Sequence, residues 1–377
     1  MNRMKALCIH EMRSMRWILL VGVVCVCIFL TALSSKVNNY CSYAGLNFIE
    51  EVNKFDYVEL TGGQSIFSTA FTLVLRNAHI AAILLLALFV NLQFSDFHKK
   101  KEDEFISSLP IKGIYRCLMK IFLGYGLITF CCILAGIGVF RIRDEYMEEF
   151  SKHALVSSAY KGLLANETPW HTLRSLLMFW LILIVVYTVY VAIHNMVNRG
   201  VLATIIGMGI MMVGPWICVV NQYISSMTGG YKLFDEEQSF CCLFWGLHTS
   251  TQTRGLFMEQ EYSWFDSEGG VHLISYYSYV LPVIFSLVVG ISCFIFAVMA
   301  SKKREGSRYD ILVPTVFPRM LFAAGIAVCI SVTVAMSFHM LYSSFVVFAM
   351  VSIVLSVPLF IVYMKAFAGN RKGGRRS

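Results

Sequence analysis

The stretch SDFHKKKEDEFISSLPIKGIYRCLMK, residues 95–120, decides how the rest of the chain is read. It sets Lys99, Lys100 and Lys101 beside Glu102, Asp103 and Glu104, in a chain that is 57% hydrophobic and only 14% charged. The runs on either side, 77–94 and 119–140, are almost free of charge. About 20 apolar residues in a helix cross the roughly 30 Å of hydrocarbon in a bilayer, a length a soluble core does not need. The charged stretch therefore reads as a water-facing connection between two membrane spans.

Working outward, further apolar runs lie at 17–34, 174–194, 200–220, 276–300, 320–338 and 341–363. With a mean hydropathy of +0.67, the composition predicts an all-α integral membrane protein. It is a polytopic bundle of about eight transmembrane helices, organised as a single domain over 1–377. NMVNR (195–199) and the break near His339 read as tight hairpins, whereas loops 35–76, 141–173 and 221–275 are long enough to fold locally. Lys and Arg set the orientation. With both termini in the cytoplasm, segments 1–16, 95–120, 195–199, 301–319 and 364–377 hold 21 of the 31 basic residues. The formal charge of +8 then divides into +14 inside and −6 outside, which is a membrane-topology pattern rather than a nucleic-acid one. The basic ends also suit anionic lipid headgroups. The apolar run within residues 1–34 is longer than a signal-peptide core usually is, and is read as a span.

Within 95–120 the pattern changes three times. Residues 96–104 are strongly solvated. Phe105, Ile106 and Leu109 then fall on one stripe of a short helix. Pro110 ends that helix, because proline pushes the residue before it out of the α region. KGIYRCLMK restarts a helix that becomes the third span. Such a surface helix either dips its stripe into lipid or docks it in a groove on a cytosolic partner, with the charges setting the register.

Phe105, Ser108, Leu109, Pro110, Ile111, Lys112, Arg116 and Lys120 form a pattern that resembles the first cytoplasmic loop of ABC-2-type transporter permeases of bacteria. A looser echo is SKKREGSRYD (301–310), through Lys302, Lys303, Arg304 and Glu305. The resemblance covers about 40 residues. It implies a permease subunit of an exporter in the bacterial plasma membrane, with six spans sufficing for the family core. It implies that Glu102, Asp103, Glu104, Phe105, Leu109, Pro110, Lys112 and Arg116 couple to a separate cytosolic ATPase. It also implies a second permease chain, identical or a sister. No G-x-x-x-x-G-K-[ST] phosphate loop occurs here, so ATP and Mg are expected on the partner, with no cofactor, metal or catalytic residue on this chain.

Other polar residues are open to two readings. Arg76, Asn77 and His79, with Asn91 at the inner end of the same span, either line a translocation path or lie where a helix meets the interface. Asn91 and Gln93 could hydrogen-bond across helices. His194 and Asn195 read as interfacial. Most of the twelve cysteines fall in apolar spans, where cysteine packs as a small hydrophobe. Cys41 could bridge to Cys241 or Cys242. The outer loops are acidic with embedded aromatics, and 143–164 reads as an amphipathic helix on that face. Two rival functions remain. A sensor or scaffold that transports nothing would share the topology, and a membrane-embedded acyl- or glycosyl-transferase would need His, Asp or Glu clustered at membrane depth.

Overall fold

A computed structural model of the chain describes residues 2–47, 66–98, 113–154, 169–228, 261–265, 271–275, 280–303, 311–337 and 345–368. In chain order the elements are α1 (Asn2–Asn47), α2 (Ile66–Gln93), α3 (Ser95–His98), α4 (Gly113–Ala154), α5 (Pro169–Met196) and α6 (Gly200–Thr228). They are followed by β1 (Glu261–Phe265), β2 (Val271–Ser275), α7 (Val280–Lys303), α8 (Val316–Ser337) and α9 (Phe345–Ala368). The described residues are almost entirely helical. The exception is the antiparallel pair β1–β2, with Trp264 opposite His272, in the region where sequence reading expects an outer loop.

Seven helices among the described residues are long and apolar enough to cross a membrane: α1, α2, α4, α5, α6, α8 and α9. The expected span at 276–300 corresponds to α7, in which the described apolar stretch is the shorter Ser286–Lys302. Two helices overrun their expected limits. α1 occupies 46 residues against the 18 expected of the span, and α4 occupies 42. No proline interrupts 2–47 or 113–154, and a helix propagates through polar residues until something stops it. At 1.5 Å per residue, α4 is about 60 Å long, roughly twice the hydrocarbon thickness. Its last turns thus take in the first part of the expected amphipathic loop helix at 143–164.

The chain divides into two compact units. The first comprises Met1–Ile83, Leu123–Val185 and Gly246–Leu287. In it α1 and α4 approach closely: a Cβ on Gly22 would stand 2.9 Å from Cys131 Sγ, and one on Gly138 would meet the Leu30 side chain. Trp180 Nε1 on α5 donates to Thr129 Oγ1 on α4 at 3.0 Å. Phe67 on α2 meets Tyr146 on α4 with ring centroids 6.1 Å apart. A groove of about 1030 Å³ lies between α4 and α5, floored by Ile133, Ile137 and Leu177 and edged by Arg141, Asp144 and Glu145.

The second unit comprises Leu84–Phe122, Val186–Trp245 and Val288–Ser377. Here α8 packs along α9, and both touch α6. Ile224, Ala335 and Phe348 form the core of that contact, with Tyr223, Val332 and Val351 around them. Trp216 Nε1 donates to Thr333 Oγ1 at 2.9 Å, tying α6 to α8. Elsewhere large apolar side chains are left uncovered, such as Trp17 and Ile28 on α1 and Val354 on α9, the last 70% exposed. Apolar surface in long uninterrupted faces is what water-soluble monomers avoid.

Candidate functional site at the roots of the charged segment

The charged segment connects α3 to α4, and both of its roots are built into a buried polar knot within the second unit. α2 ends where Phe94 and Phe97 turn the chain: Phe94 N donates to Val90 O at 2.9 Å and Phe97 N to Phe94 O at 3.0 Å. Asp96 Oδ1 accepts a hydrogen bond from Phe97 N at 3.0 Å, closing this short turn. The other carboxylate oxygen faces α4. Arg116 Nη2 donates to Asp96 Oδ2 at 2.5 Å, and Lys120 Nζ lies 3.3 Å from the same oxygen. Arg116 and Lys120 stand one helical turn apart on one face of α4, so a single carboxylate can meet both.

Charges this deep survive only when paired. Arg116 is 5% and Lys120 2% exposed. Among the described residues the knot holds two cations and one carboxylate, and neutral groups also meet the cations. Lys120 Nζ donates to Gln93 O at 2.7 Å. The guanidinium carbon of Arg116 lies 4.2 Å from the Phe97 ring centroid, within the range where a cation is attracted to an aromatic face. Burial alone would raise the Asp96 carboxyl, but Lys120 and then Arg116 outweigh it and hold the group below its ordinary 3.8. Asp96 is therefore the anion that makes the knot tolerable.

Gln93 and Tyr187 extend the knot into α5. Gln93 Nε2 donates to Lys120 O at 2.7 Å, so Gln93 and Lys120 each bond the other's backbone carbonyl. Tyr187 OH, fully buried, reaches Gln93 Oε1 at 2.9 Å and Lys120 O at 3.2 Å. Its ring stacks on Phe89 with centroids 5.5 Å apart.

A second set of bonds joins α3 to α5 and α6. His98 Nε2 lies 3.0 Å from His194 Nδ1, and His194 Nε2 lies 3.4 Å from Thr204 Oγ1. Gly200 makes the approach of α6 feasible, since a Cβ there would stand 2.7 Å from Asn91 Oδ1 and 2.9 Å from the His98 ring. Cys117 Sγ on α4 reaches Asn195 Oδ1 at 3.9 Å.

A third set ties the α5–α6 turn to the last two helices. Asn198 donates from its backbone N to Leu312 O at 2.9 Å and from Nδ2 to Ile311 O at 2.7 Å. Val313 N donates to Phe367 O at 3.3 Å, and Arg319 returns to Val313 O at 2.8 Å. Segments 95–120, 195–199, 301–319 and 364–377, four of the five expected on one side, thus all contribute bonds within this unit; the fifth, 1–16, belongs to the first unit.

The expected coupling residues Glu102, Asp103, Glu104, Phe105, Leu109, Pro110 and Lys112 lie outside the described residues, while Arg116 is at the centre of the knot. Of the residues read as a translocation path, Asn77 is exposed on α2. His79 is fully buried with its ring 6.3 Å from that of Phe179. The side chain of Arg76 is outside the description. Asn91 is half-buried beside Gly200 in the other unit. His194 and Asn195, read from sequence as interfacial, are instead buried at 0% and 4% exposure because α3 and α4 close over them. Gln93 does bond across helices, as its position suggested. Sequence reading missed Asp96 as a buried anion and Tyr187 as a partner. A tyrosine among aliphatic residues in mid-span was the available signal for Tyr187.

Among the described residues no three His, Cys, Asp or Glu side chains converge as a metal site requires. Cys8, Cys25, Cys27, Cys117, Cys131, Cys132, Cys293 and Cys329 are free thiols. The Cys41 side chain, Cys241 and Cys242 are outside the description. No protein-family model matches this chain, and no curated protein or solved structure does so either.

Proposed function

We propose that this chain is the membrane-spanning permease subunit of an ABC-type exporter, driven by an ATPase on a separate polypeptide and paired with a second permease chain. The observation that carries the reading is the knot: Asp96, Arg116 and Lys120 lock both roots of the charged segment to each other, and Gln93 and Tyr187 lock them to α5. A loose surface loop needs no such foundation, whereas a lever does.

On this reading residues 102–112 rest on the ATPase in the cytoplasm of a bacterial cell. ATP binding closes the ATPase pair and pushes the segment. Because both roots are fixed to buried helices, the push moves α2, α4 and α5 together instead of bending the loop. The bundle then exchanges access between the two sides, a population shift driven by the partner's differential contact with two states. The chain itself performs no covalent chemistry, and ATP and Mg belong to the partner. The seven long apolar helices and their uncovered faces support the membrane location.

The test is co-purification of the partner ATPase with the wild type and with Phe105→Asp plus Leu109→Asp. The double variant should lose most of the ATPase while keeping the elution profile of folded protein. Equal recovery from both would remove the docking claim and favour a sensor or scaffold.

A further inference from the structure

The groove between α4 and α5 of the first unit has no part in the coupling mechanism, and its lining is ordered along the helix. On α4 the lining positions recur three and four apart, so they make one stripe. The stripe is apolar through Ile133, Gly136, Ile137 and Phe140, and charged from Arg141 through Asp144, Glu145 and Glu148. Leu173, Leu177 and Trp180 line the α5 side. The hydrogen bond from Trp180 to Thr129 joins the two helices at the apolar end.

The apolar part has the depth of one bilayer leaflet. Thr129 lies midway along the span expected at 119–140. From there to Phe140 the helix rises about 16 Å, and half of a hydrocarbon layer of roughly 30 Å is about 15 Å. The groove is open along its side, since Ile133, Ile137 and Leu177 are each at least half exposed. Its volume of about 1030 Å³ is at the upper end of the range of about 300–1,000 Å³ usual for small-molecule sites. In a bilayer a hydrocarbon chain, and not water, covers such a surface.

The charged part selects the head of that molecule. Arg141 stands next to the apolar floor, and Asp144 and Glu145 stand one turn, about 5 Å, further out. A phospholipid presents its phosphate directly beyond its acyl chains, and an ethanolamine head carries an ammonium beyond the phosphate. Guanidinium suits the first group and carboxylate the second. Among the lining residues carboxylates outnumber cations three to one, which disfavours an anionic head that lacks the ammonium. Asp144 also faces Arg143 at 3.5 Å, but most of its side chain is exposed and can meet a second cation. We infer that the groove holds one acyl chain of a phospholipid with a phosphoethanolamine head, its phosphate toward Arg141 and its ammonium toward Asp144 and Glu145. The distribution of Lys and Arg expects this end of α4 outside, so the lipid is one of the outer leaflet. The inference rests on α4 and α5 being membrane spans and does not involve the ATPase.

The experiment uses the full chain in phosphatidylglycerol nanodiscs without any ATPase. Phosphatidylethanolamine and phosphatidylglycerol carrying the same diazirine acyl chain are added to separate samples as photolabels, and the labelled residues are mapped by mass spectrometry. Labelling of 129–148 and 173–180 is divided by labelling of α9 around Val354, an exposed apolar face that reports ordinary boundary lipid. The ethanolamine probe should give a ratio about fivefold above that of the glycerol probe, the scale of a few exposed ion pairs. Ile137→Trp, which fills the groove from an exposed position, should bring the two ratios together by lowering that of the ethanolamine probe. Asp144→Lys plus Glu145→Lys should erase the preference while the glycerol probe labels the groove at least as well as before. All three substitutions are at exposed positions, and α9 labelling in each variant checks that it is folded and inserted. Equal ratios for the two probes in the wild type, a preference that survives the double lysine variant, or one indifferent to Ile137→Trp would each overturn the lipid site. Labelling of α9 alone would do so too, and labelling of neither region would overturn the membrane reading with it. None of these outcomes bears on ATPase recovery, so the docking claim and the lipid site fail separately.

Discussion

At the residue scale Asp96 carries a heavy duty, since among the described residues it meets both buried cations of the knot. Asp96→Asn removes the carboxylate that both Arg116 and Lys120 meet. Breaking a buried pair by removing one partner costs about 3–5 kcal/mol, and because the Asp96 side chain keeps 16% exposure the lower end is expected. Thermal unfolding in detergent should show a clear drop for Asp96→Asn and little change for Asp144→Asn, whose side chain is 75% exposed and faces Arg143 at 3.5 Å. The sign of the pH effect follows from the depressed Asp96 carboxyl. Its contribution is fully present above the ordinary carboxylate value of 3.8 and is lost only as pH falls through the lower folded value. The difference in unfolding temperature between wild type and Asp96→Asn should hold constant from about pH 7 down to pH 5 and shrink below about pH 4. Sequence made the charge cluster visible, but not which charge turns inward. Asp96 stands among Lys99–Lys101 and Glu102–Glu104 with no local mark of burial, and its partners are 20 and 24 positions away on another helix.

At the scale of elements the apolar runs told most. Spans expected at 77–94, 174–194, 200–220, 320–338 and 341–363 each fall on a helix, and NMVNR is the short turn from α5 to α6. The far ends were illegible because propagation of a helix beyond the bilayer leaves no apolar signature, which is why α1 and α4 overrun their expected limits. The buried α5 was legible only as apolar on all sides. Two thirds of its most apolar stretch is covered, against 6% for α1, and that difference depends on which helices surround it. Close approach of α5 and α6 depends on Gly207, where a Cβ would stand 2.5 Å from the Tyr190 ring. Tyr190 is fully buried and cannot swing out to make room. Gly207→Ala should therefore destabilise by about 1–3 kcal/mol through overpacking. Gly209→Ala, where a Cβ meets nothing within 4 Å, should be nearly neutral or better. Comparing the two unfolding temperatures separates crowding at a contact from helix propensity.

At the scale of the whole molecule four of the five segments expected on one side, all but 1–16, belong to the second unit. Segments far apart in sequence are joined within the second unit through Asn198, Val313 and Phe367. The bond from Val313 to Phe367 O has a practical consequence for anyone handling this protein. A purification tag or fluorescent fusion placed after Ser377 begins nine residues past Ala368, next to the helix whose Phe367 is bonded to Val313 in the unit that holds both roots of the charged segment. If an ATPase docks as proposed, such a bulky appendage would compete with it for space and mimic a null variant, so labels belong on a cleavable linker.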